Sequence, residues 1–196
     1  KTSAIPIKKS RAVEPVIKAK AALLMDLNTG TVLYAKNSHE PLAMASLTKI
    51  MTAIVVMEGH SLNETVTIKN NYADIDGTRM WFNKNDQISV KDLLSVMLIH
   101  SANDAAMILA EYHSGKSDNF VKEMNKKAET LGLKNTHFIN PVGFDEKDQY
   151  SSAYDLALLA KYALRKPVFR DIVKQTEGTL TILNGEKLRA FDSTNG

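Results

Sequence analysis

The chain has 196 residues, of which 44% are hydrophobic, and this is enough apolar material to bury the core of one domain, with or without a small subdomain. Its formal charge of +3 is unevenly placed, because residues 1–20 carry six basic residues against one acidic residue and the remainder has a net charge of −2. Since the positive charge lies in this short segment and the aromatic residues are few and scattered, the composition argues against nucleic acid as a partner.

Residues that bind metals or form disulfides are sparse. There is no cysteine, so the chain has neither a disulfide framework nor a thiolate metal site. The five histidines lack a close ligand spacing such as H-E-x-x-H and are interpreted as structural or surface residues.

No segment reaches the roughly 18 apolar residues of a membrane span, and no signal-peptide core precedes the first residues. The protein is therefore either intracellular or a mature form whose targeting segment has been removed.

Periodicity and turn residues predict short strands and helices after a basic flexible arm at residues 1–20, which has two prolines and no apolar pattern. The predicted elements are a hairpin of residues 21–26 and 31–36, a helix at 46–59, a strand at 64–69, helices at 93–99, 105–113, 119–131 and 151–164, and a hairpin of 179–183 and 186–191. Gly30 is expected in the first turn, Gly59 as a helix C-cap and Ser89 as a helix N-cap. Residues 77–85 are predicted to be a loop bearing the only tryptophan, Trp81.

A serine and a lysine, Ser46 and Lys49, open the apolar run at residues 41–59. One helical turn places both side chains on the same face, so the amine can reach the hydroxyl. Lysine activates serine only when the amine is neutral, which requires burial or a nearby cation, and the following apolar residues supply burial. The pair is a candidate nucleophile and base, although Ser-x-x-Lys alone also arises by chance.

A second polar segment, residues 100–104, interrupts the apolar pattern between two helices. It reads His-Ser-Ala-Asn-Asp, and burying such groups without partners would be costly. These residues are therefore either hydrogen-bonded structure or part of a site, and the residues alone leave both interpretations open.

Together, Ser46-x-x-Lys49 and Ser101-x-Asn103 resemble two motifs of the penicillin-recognising serine D,D-peptidases, most closely the low-molecular-mass D-alanyl-D-alanine carboxypeptidases. Further stretches similar to that family lie at residues 45–53, 77–81, 92–94, 101–106, 136–143 and 151–157. The second motif reads Ser-Ala-Asn rather than Ser-Asp-Asn, and the third motif, Lys-Thr-Gly or His-Thr-Gly, does not occur in the 196 residues. Residues 21–196 are therefore expected to be the N-terminal portion of a serine D,D-peptidase domain.

The resemblance implies an α+β fold of the β-lactamase/transpeptidase type, with an antiparallel sheet packed by helices, a mainly helical lobe, and a sheet incomplete in this chain. It implies removal of the terminal D-alanine from peptidoglycan stem peptides that end in D-Ala-D-Ala, through an acyl-serine intermediate that β-lactams also form. Ser46 would be the nucleophile and an oxyanion-hole N–H donor, and Lys49 the general base. Ser101 would be a proton shuttle and bind substrate, and Asn103 would hydrogen-bond the substrate amide and Lys49.

Neighbouring polar residues are assigned structural roles. His100 and Asp104 are interpreted as structural, His137 as making a fixed hydrogen bond, and Asp155 as a helix-start residue, while residues 136–143 shape a loop near the site. The resemblance implies no metal or organic cofactor and an extracytoplasmic location, periplasmic or at the cell surface. The basic arm could lie against a membrane or cell-wall surface, although a linker is the favoured interpretation.

Three alternatives remain. A serine β-lactamase shares the Ser-x-x-Lys chemistry, but the Glu-x-x-Leu-Asn stretch with which class A enzymes activate water does not occur here. A catalytically incomplete fragment would act as a binding module or only when complemented by another chain. An intracellular amidase or esterase with Ser-Lys chemistry would not be labelled by penicillin.

Overall fold

The computed structural model describes residues 5–7 and 13–194, and in these ranges six strands and six α-helices form an α+β fold, as predicted. The strands are β1 (Ala22–Met25), β2 (Val32–Lys36), β3 (Thr65–Thr67), β4 (Gln87–Ser89), β5 (Glu177–Ile182) and β6 (Lys187–Asp192). The helices are α1 (Thr48–Gly59), α2 (Val90–Ile99), α3 (Asn103–Ser114), α4 (Ser117–Thr130), α5 (Ala153–Ala163) and α6 (Pro167–Val173). A 3₁₀ turn over Ala45–Leu47 leads directly into α1.

The strands form three antiparallel pairs, β1–β2, β3–β4 and β5–β6. In the first hairpin Gly30 has a φ of 75°, and the Asp26 carboxylate closes the turn by accepting hydrogen bonds from the backbone and hydroxyl of Thr29. Both hairpins that the sequence predicts are present. Over the described ranges no strand joins the first pair to the last. The antiparallel sheet that the resemblance implies is therefore represented by separate two-stranded pairs.

Helix α2 lies in the hydrophobic core, as its apolar sequence predicts. Leu93, Leu94 and Met97 are completely buried, and each such side chain contributes about 1.5–3 kcal/mol relative to an exposed one. The helix begins after Ser89, whose hydroxyl accepts a 3.0 Å hydrogen bond from the Asp92 N–H, which confirms the predicted N-cap. α2 packs against α1, α3, α6 and β5. It therefore holds the segment that precedes Ser101 against the rest of the core.

Three local features differ from the sequence predictions. Strand β4, with three residues, and helix α6, with seven, were not predicted, because such short elements carry too little periodicity. The prediction that Gly59 caps α1 is wrong, since Gly59 is the last helical residue and His60 occupies the cap position. Gly59 instead allows close packing, because a Cβ there would lie 2.9 Å from Nδ1 of the His113 ring.

The predicted arm lies partly outside the described residues, which omit 1–4 and 8–12, and Asn195 and Gly196 lie outside them as well. In the described part of the arm, the carbonyls of Ile17 and Ala19 each accept a 2.8 Å hydrogen bond from the Lys36 ammonium on β2. No helix in the described ranges combines the length and apolar character needed to cross a bilayer.

Candidate active site

Ser46 and Lys49 meet where the 3₁₀ turn runs into the first turn of α1. The Lys49 ammonium nitrogen lies 3.0 Å from the Ser46 hydroxyl, as the three-residue spacing predicts. Ser46 is exposed, whereas Lys49 has only 2% of its surface accessible. The arrangement presents the hydroxyl to an incoming ligand and keeps its partner amine inside the protein.

Burial sets the protonation of Lys49. Removing the ammonium from water disfavours its charged form and lowers the pKa of Lys49 to about 8. No carboxylate in the described part of the chain forms an ion pair with it, and its second hydrogen bond is a 2.8 Å contact to the neutral Val142 carbonyl. At pH 7 about a tenth of the Lys49 amines are therefore neutral and able to accept a proton.

Ser101 is the third group at the site. It lies between α2 and α3, and its hydroxyl donates a 3.0 Å hydrogen bond to the Ser46 hydroxyl. Its φ of 59° is unusual for a residue with a side chain. Because Ser46 lies 3.0 Å from both partners, the three side chains form a continuous hydrogen-bonded path from Lys49 to Ser101.

Asn103 begins α3, two residues after Ser101, and it is not hydrogen-bonded to Lys49. Its side-chain amide donates to the Asp76 carbonyl at 2.7 Å, and its backbone N–H donates to the Thr78 carbonyl at 2.8 Å. Within the described residues its amide oxygen accepts no hydrogen bond, so this oxygen can receive an N–H from a ligand. Hydrogen bonding of Asn103 to substrate stays a prediction.

The loop at residues 136–143 borders the site, as expected, through backbone groups that the sequence did not identify. The Val142 carbonyl holds Lys49, and the Pro141 carbonyl accepts a 2.7 Å hydrogen bond from the buried Thr52 hydroxyl. Gly143 has a φ of 99°, and a Cβ there would overlap the Ala45 carbonyl oxygen. The loop backbone therefore packs directly against the peptide group that precedes Ser46.

Asn140 shapes this loop from within. Its side-chain oxygen accepts hydrogen bonds from the backbone N–H groups of Val142, Gly143 and Phe144 at 2.7–3.2 Å. The Asn-Pro-x-Gly pattern at residues 140–143 is the signal that could have identified the turn. The sequence predicts the loop but not its contact with Lys49.

A cavity of about 540 Å³ opens at the three polar side chains. Apolar residues from the 3₁₀ turn, from α1, α2 and α6, and from the end of α5 also line it: Met44, Ala45, Leu47, Ile50, Met97, Leu98, Ile99, Ala160, Leu164, Phe169 and Val173. Polar residues in the lining include Gln175, which follows α6, and Ser193 and Thr194, which follow β6. The unpredicted helix α6 therefore contributes part of the surface around the candidate nucleophile.

The neighbouring histidines make fixed hydrogen bonds. His100 contacts the Asp192 carbonyl through Nδ1 at 2.9 Å, and His137 contacts the Asp148 carbonyl through Nδ1 at 2.8 Å. Neither ring forms a hydrogen bond with Ser46 or Lys49 within the described ranges, and both positions fit the predicted structural roles.

Two buried aspartates also hold backbone in place. Asp155 lies in the first turn of α5 and donates its N–H to the hydroxyl of Ser152, the N-cap, while its carboxylate accepts from the Asn135 N–H and the Thr136 hydroxyl. Asp104 is 1% exposed and accepts only backbone N–H groups. Burial raises the pKa of Asp104, while those N–H donors act in the opposite direction. Both carboxylates have the structural roles that we predicted.

Comparison with known proteins supports the family resemblance that the sequence motifs indicate. The sequence model of the D-alanyl-D-alanine carboxypeptidase family matches residues 8–195. The D-alanyl-D-alanine carboxypeptidase DacF of Bacillus subtilis is 44% identical over 160 residues, which are 79% of this chain and 41% of that protein. A D-alanyl-D-alanine endopeptidase of Escherichia coli is 32% identical over 186 residues, 94% of this chain and 60% of that protein. The chain spans about two fifths of the length of the carboxypeptidase relatives it matches.

Solved structures show the same fold. Penicillin-binding protein 6B from Escherichia coli superimposes with a TM-score of 0.84 at 34% identity, over 95% of this chain and 61% of that chain. A D-alanyl-D-alanine carboxypeptidase from Mycobacterium tuberculosis gives a TM-score of 0.86 at 28% identity, over 97% of this chain and 72% of that chain. By its sequence match, its relatives and its fold, the chain belongs to the D-alanyl-D-alanine carboxypeptidase family of the penicillin-binding proteins.

Proposed function

We propose that this chain supplies the nucleophile and the general base of a serine-type D-Ala-D-Ala carboxypeptidase, which removes the terminal D-alanine of peptidoglycan stem peptides. The observation that carries the proposal is the 3.0 Å contact of the exposed Ser46 hydroxyl with both Lys49 and Ser101. A buried amine with a pKa of about 8 is a base matched to a serine hydroxyl near neutral pH.

The proposed reaction has two steps. Neutral Lys49 takes the Ser46 proton as the Ser46 oxygen attacks the carbonyl carbon of the scissile bond, and the Ser46 N–H stabilises the resulting oxyanion. The proton passes through Ser101 to the departing nitrogen, so D-alanine leaves as the C–N bond breaks. Water then attacks the acyl carbon and gives a proton to Lys49. The bond between that carbon and the Ser46 oxygen breaks, the shortened peptide leaves as a carboxylic acid, and Lys49 returns the proton to the Ser46 oxygen.

The contacts of Lys49 and Asn103 support these roles. The Val142 carbonyl restrains the Lys49 amine, which keeps it directed at Ser46 without supplying a negative charge that would raise its pKa. The unoccupied amide oxygen of Asn103 is suited to accept an N–H from the stem-peptide backbone.

The proposed Ser46 nucleophile and its stem-peptide substrate also suggest partners and a location for the protein. β-Lactams would acylate Ser46 through their strained amide and leave a slowly hydrolysed adduct. Because the proposed substrate is a peptidoglycan stem peptide, we propose that the protein acts outside the cytoplasmic membrane, in the periplasm or at the cell surface, in association with the membrane or wall surface.

Release of D-alanine tests this function and separates it from its alternatives. The protein is expected to release D-alanine from a stem-peptide analogue ending in D-Ala-D-Ala, and the Ser46→Ala variant is expected to lose this activity by about 10³-fold or more. A matched peptide ending in L-Ala-L-Ala is the control and should not be cleaved. The measurement is D-alanine production followed over time.

Two further substrates distinguish a carboxypeptidase from an endopeptidase and from a β-lactamase. Cleavage of a cross-linked peptide dimer without D-alanine release would indicate an endopeptidase instead of a carboxypeptidase. Some of the relatives are named as endopeptidases. Rapid hydrolysis of a chromogenic cephalosporin would instead indicate a β-lactamase. Absence of D-alanine release contradicts the proposal in either case.

A further inference from the structure

The loop between β3 and β4 holds Trp81 in an unusual way. Trp81 is the only tryptophan of the chain, its side chain is 59% exposed, and its φ is 58°. Core packing therefore does not explain its left-handed backbone, which residues with bulky side chains rarely adopt. The Arg79 guanidinium stacks 3.9 Å from the centre of the indole ring.

Two charged side chains from different elements hold this backbone. The buried Asp104 carboxylate, on α3, accepts 2.9 Å hydrogen bonds from the N–H groups of Met80 and Trp81. The Arg189 guanidinium, on β6, donates to the carbonyls of the same two residues at 2.7 and 3.0 Å. Both N–H groups and both carbonyls of the Met80–Trp81 pair are thus occupied by charge-assisted hydrogen bonds.

The same loop is joined to the candidate active site. The Asp76 and Thr78 carbonyls accept hydrogen bonds from the side chain and backbone of Asn103. Gly77 allows this approach, because a Cβ there would lie 2.7 Å from the Asn103 amide nitrogen. Asn103 follows Ser101 by two residues, so the loop, the Ser101 turn and the Ser46 contact form one connected unit.

We infer that Asp104 and Arg189 are positioning residues, which clamp the Trp81 loop and thereby fix Ser101 and Asn103 for acylation of Ser46. The inference rests on the proposed function and goes beyond it, because it assigns a role in the reaction to a residue of β6 that does not touch the nucleophile. A loop released at the Met80–Trp81 pair would let the Asp76 and Thr78 carbonyls move, and with them the Asn103 amide.

The test uses Arg189→Met, which removes the donor and keeps a side chain of similar reach. Arg189→Met is expected to slow acylation of Ser46 by benzylpenicillin about tenfold and to increase acrylamide quenching of Trp81 fluorescence. Arg189→Lys, which keeps the charge and an N–H donor, should recover part of both effects. Asp104→Asn, in which one oxygen becomes an NH₂ group, should also slow acylation and increase the quenching of Trp81, as Arg189→Met does.

Lys187→Met is the matched control, because Lys187 is exposed on the same strand and the change removes the same charge. It should leave both measurements at the wild-type values. Equal quenching of Trp81 in the wild type and Arg189→Met would overturn the clamp. Increased quenching with unchanged acylation would overturn the positioning role. Absence of any adduct on both the 196-residue wild type and a form that includes a Lys-Thr-Gly segment would overturn the proposed function, while the quenching comparison would still decide the clamp.

Discussion

Replacing Lys49 with methionine is expected to slow acylation of Ser46 by benzylpenicillin by about 10³-fold, because it removes the general base and keeps a side chain of similar length. In the described chain, no other titratable side chain forms a hydrogen bond with the Ser46 hydroxyl. The measurement is the rate at which a fluorescent penicillin labels the protein. Lys91→Met, on the exposed side of α2, is the control and should label at the wild-type rate.

The Lys49 variant should remain folded, which separates loss of the base from loss of structure. Burial lowers the Lys49 pKa from 10.5 to about 8, so the charged form costs about 3 kcal/mol of folding free energy below pH 8. Methionine removes this cost but leaves the Val142 carbonyl without its donor. The loss of that hydrogen bond lowers the free energy of unfolding by about 1–3 kcal/mol. We expect the free energy of unfolding at pH 7 to be no lower than in the wild type.

The same pKa fixes the sign of two pH effects. The neutral amine is the active form, so the acylation rate should rise about tenfold per pH unit below pH 8 and level off above it. Stability should rise between pH 8 and 10.5, where the unfolded state binds the proton that the folded state has released. An acylation rate that stays constant from pH 6 to about pH 9 would contradict the role of Lys49 as the base.

Replacing Gly143 with alanine is expected to lower the free energy of unfolding by about 3 kcal/mol and to slow acylation about 100-fold. The added methyl group would overlap the Ala45 carbonyl oxygen and lie 3.0 Å from the Ser46 backbone nitrogen. Relief of this clash must move either the loop that holds Lys49 or the peptide group that carries the proposed oxyanion donor. Urea unfolding and penicillin labelling measure the two effects.

Gly132→Ala is the matched control for this prediction. Gly132 also has a positive φ, 70°, but a Cβ there meets no atom within 4 Å. It therefore isolates the conformational cost of alanine, about 1 kcal/mol, and should leave the labelling rate unchanged. Equal destabilisation by the two substitutions, or wild-type labelling by Gly143→Ala, would show that the loop does not constrain Ser46.

The sequence was sufficient for the parts of the site that depend on local spacing. Ser46 and Lys49 are three positions apart, so helical geometry alone brings them together, and the apolar residues after Lys49 account for its burial. The Ser89 cap and the buried α2 follow from equally local patterns. The order of motifs then identified the family.

The remaining contacts join residues far apart in the chain, and no periodicity encodes them. The Val142 carbonyl meets Lys49 across 93 positions, and Arg189 meets the Trp81 carbonyl across 108 positions. Asn103 was predicted to contact Lys49, but its amide donates to the Asp76 carbonyl of a loop whose course the sequence does not indicate. These tertiary contacts depend on how loops pack against the helices, which only the folded structure reveals.

Intact-protein mass spectrometry with peptide mapping, after incubation with benzylpenicillin, tests the central claim that Ser46 is an activated nucleophile. It should be done on the 196-residue chain and on a longer form that includes a Lys-Thr-Gly segment, each with its Ser46→Ala counterpart. We predict one penicilloyl group per chain, located on Ser46 and absent from Ser46→Ala. An adduct that persists in Ser46→Ala, or no adduct on either form, would contradict the account.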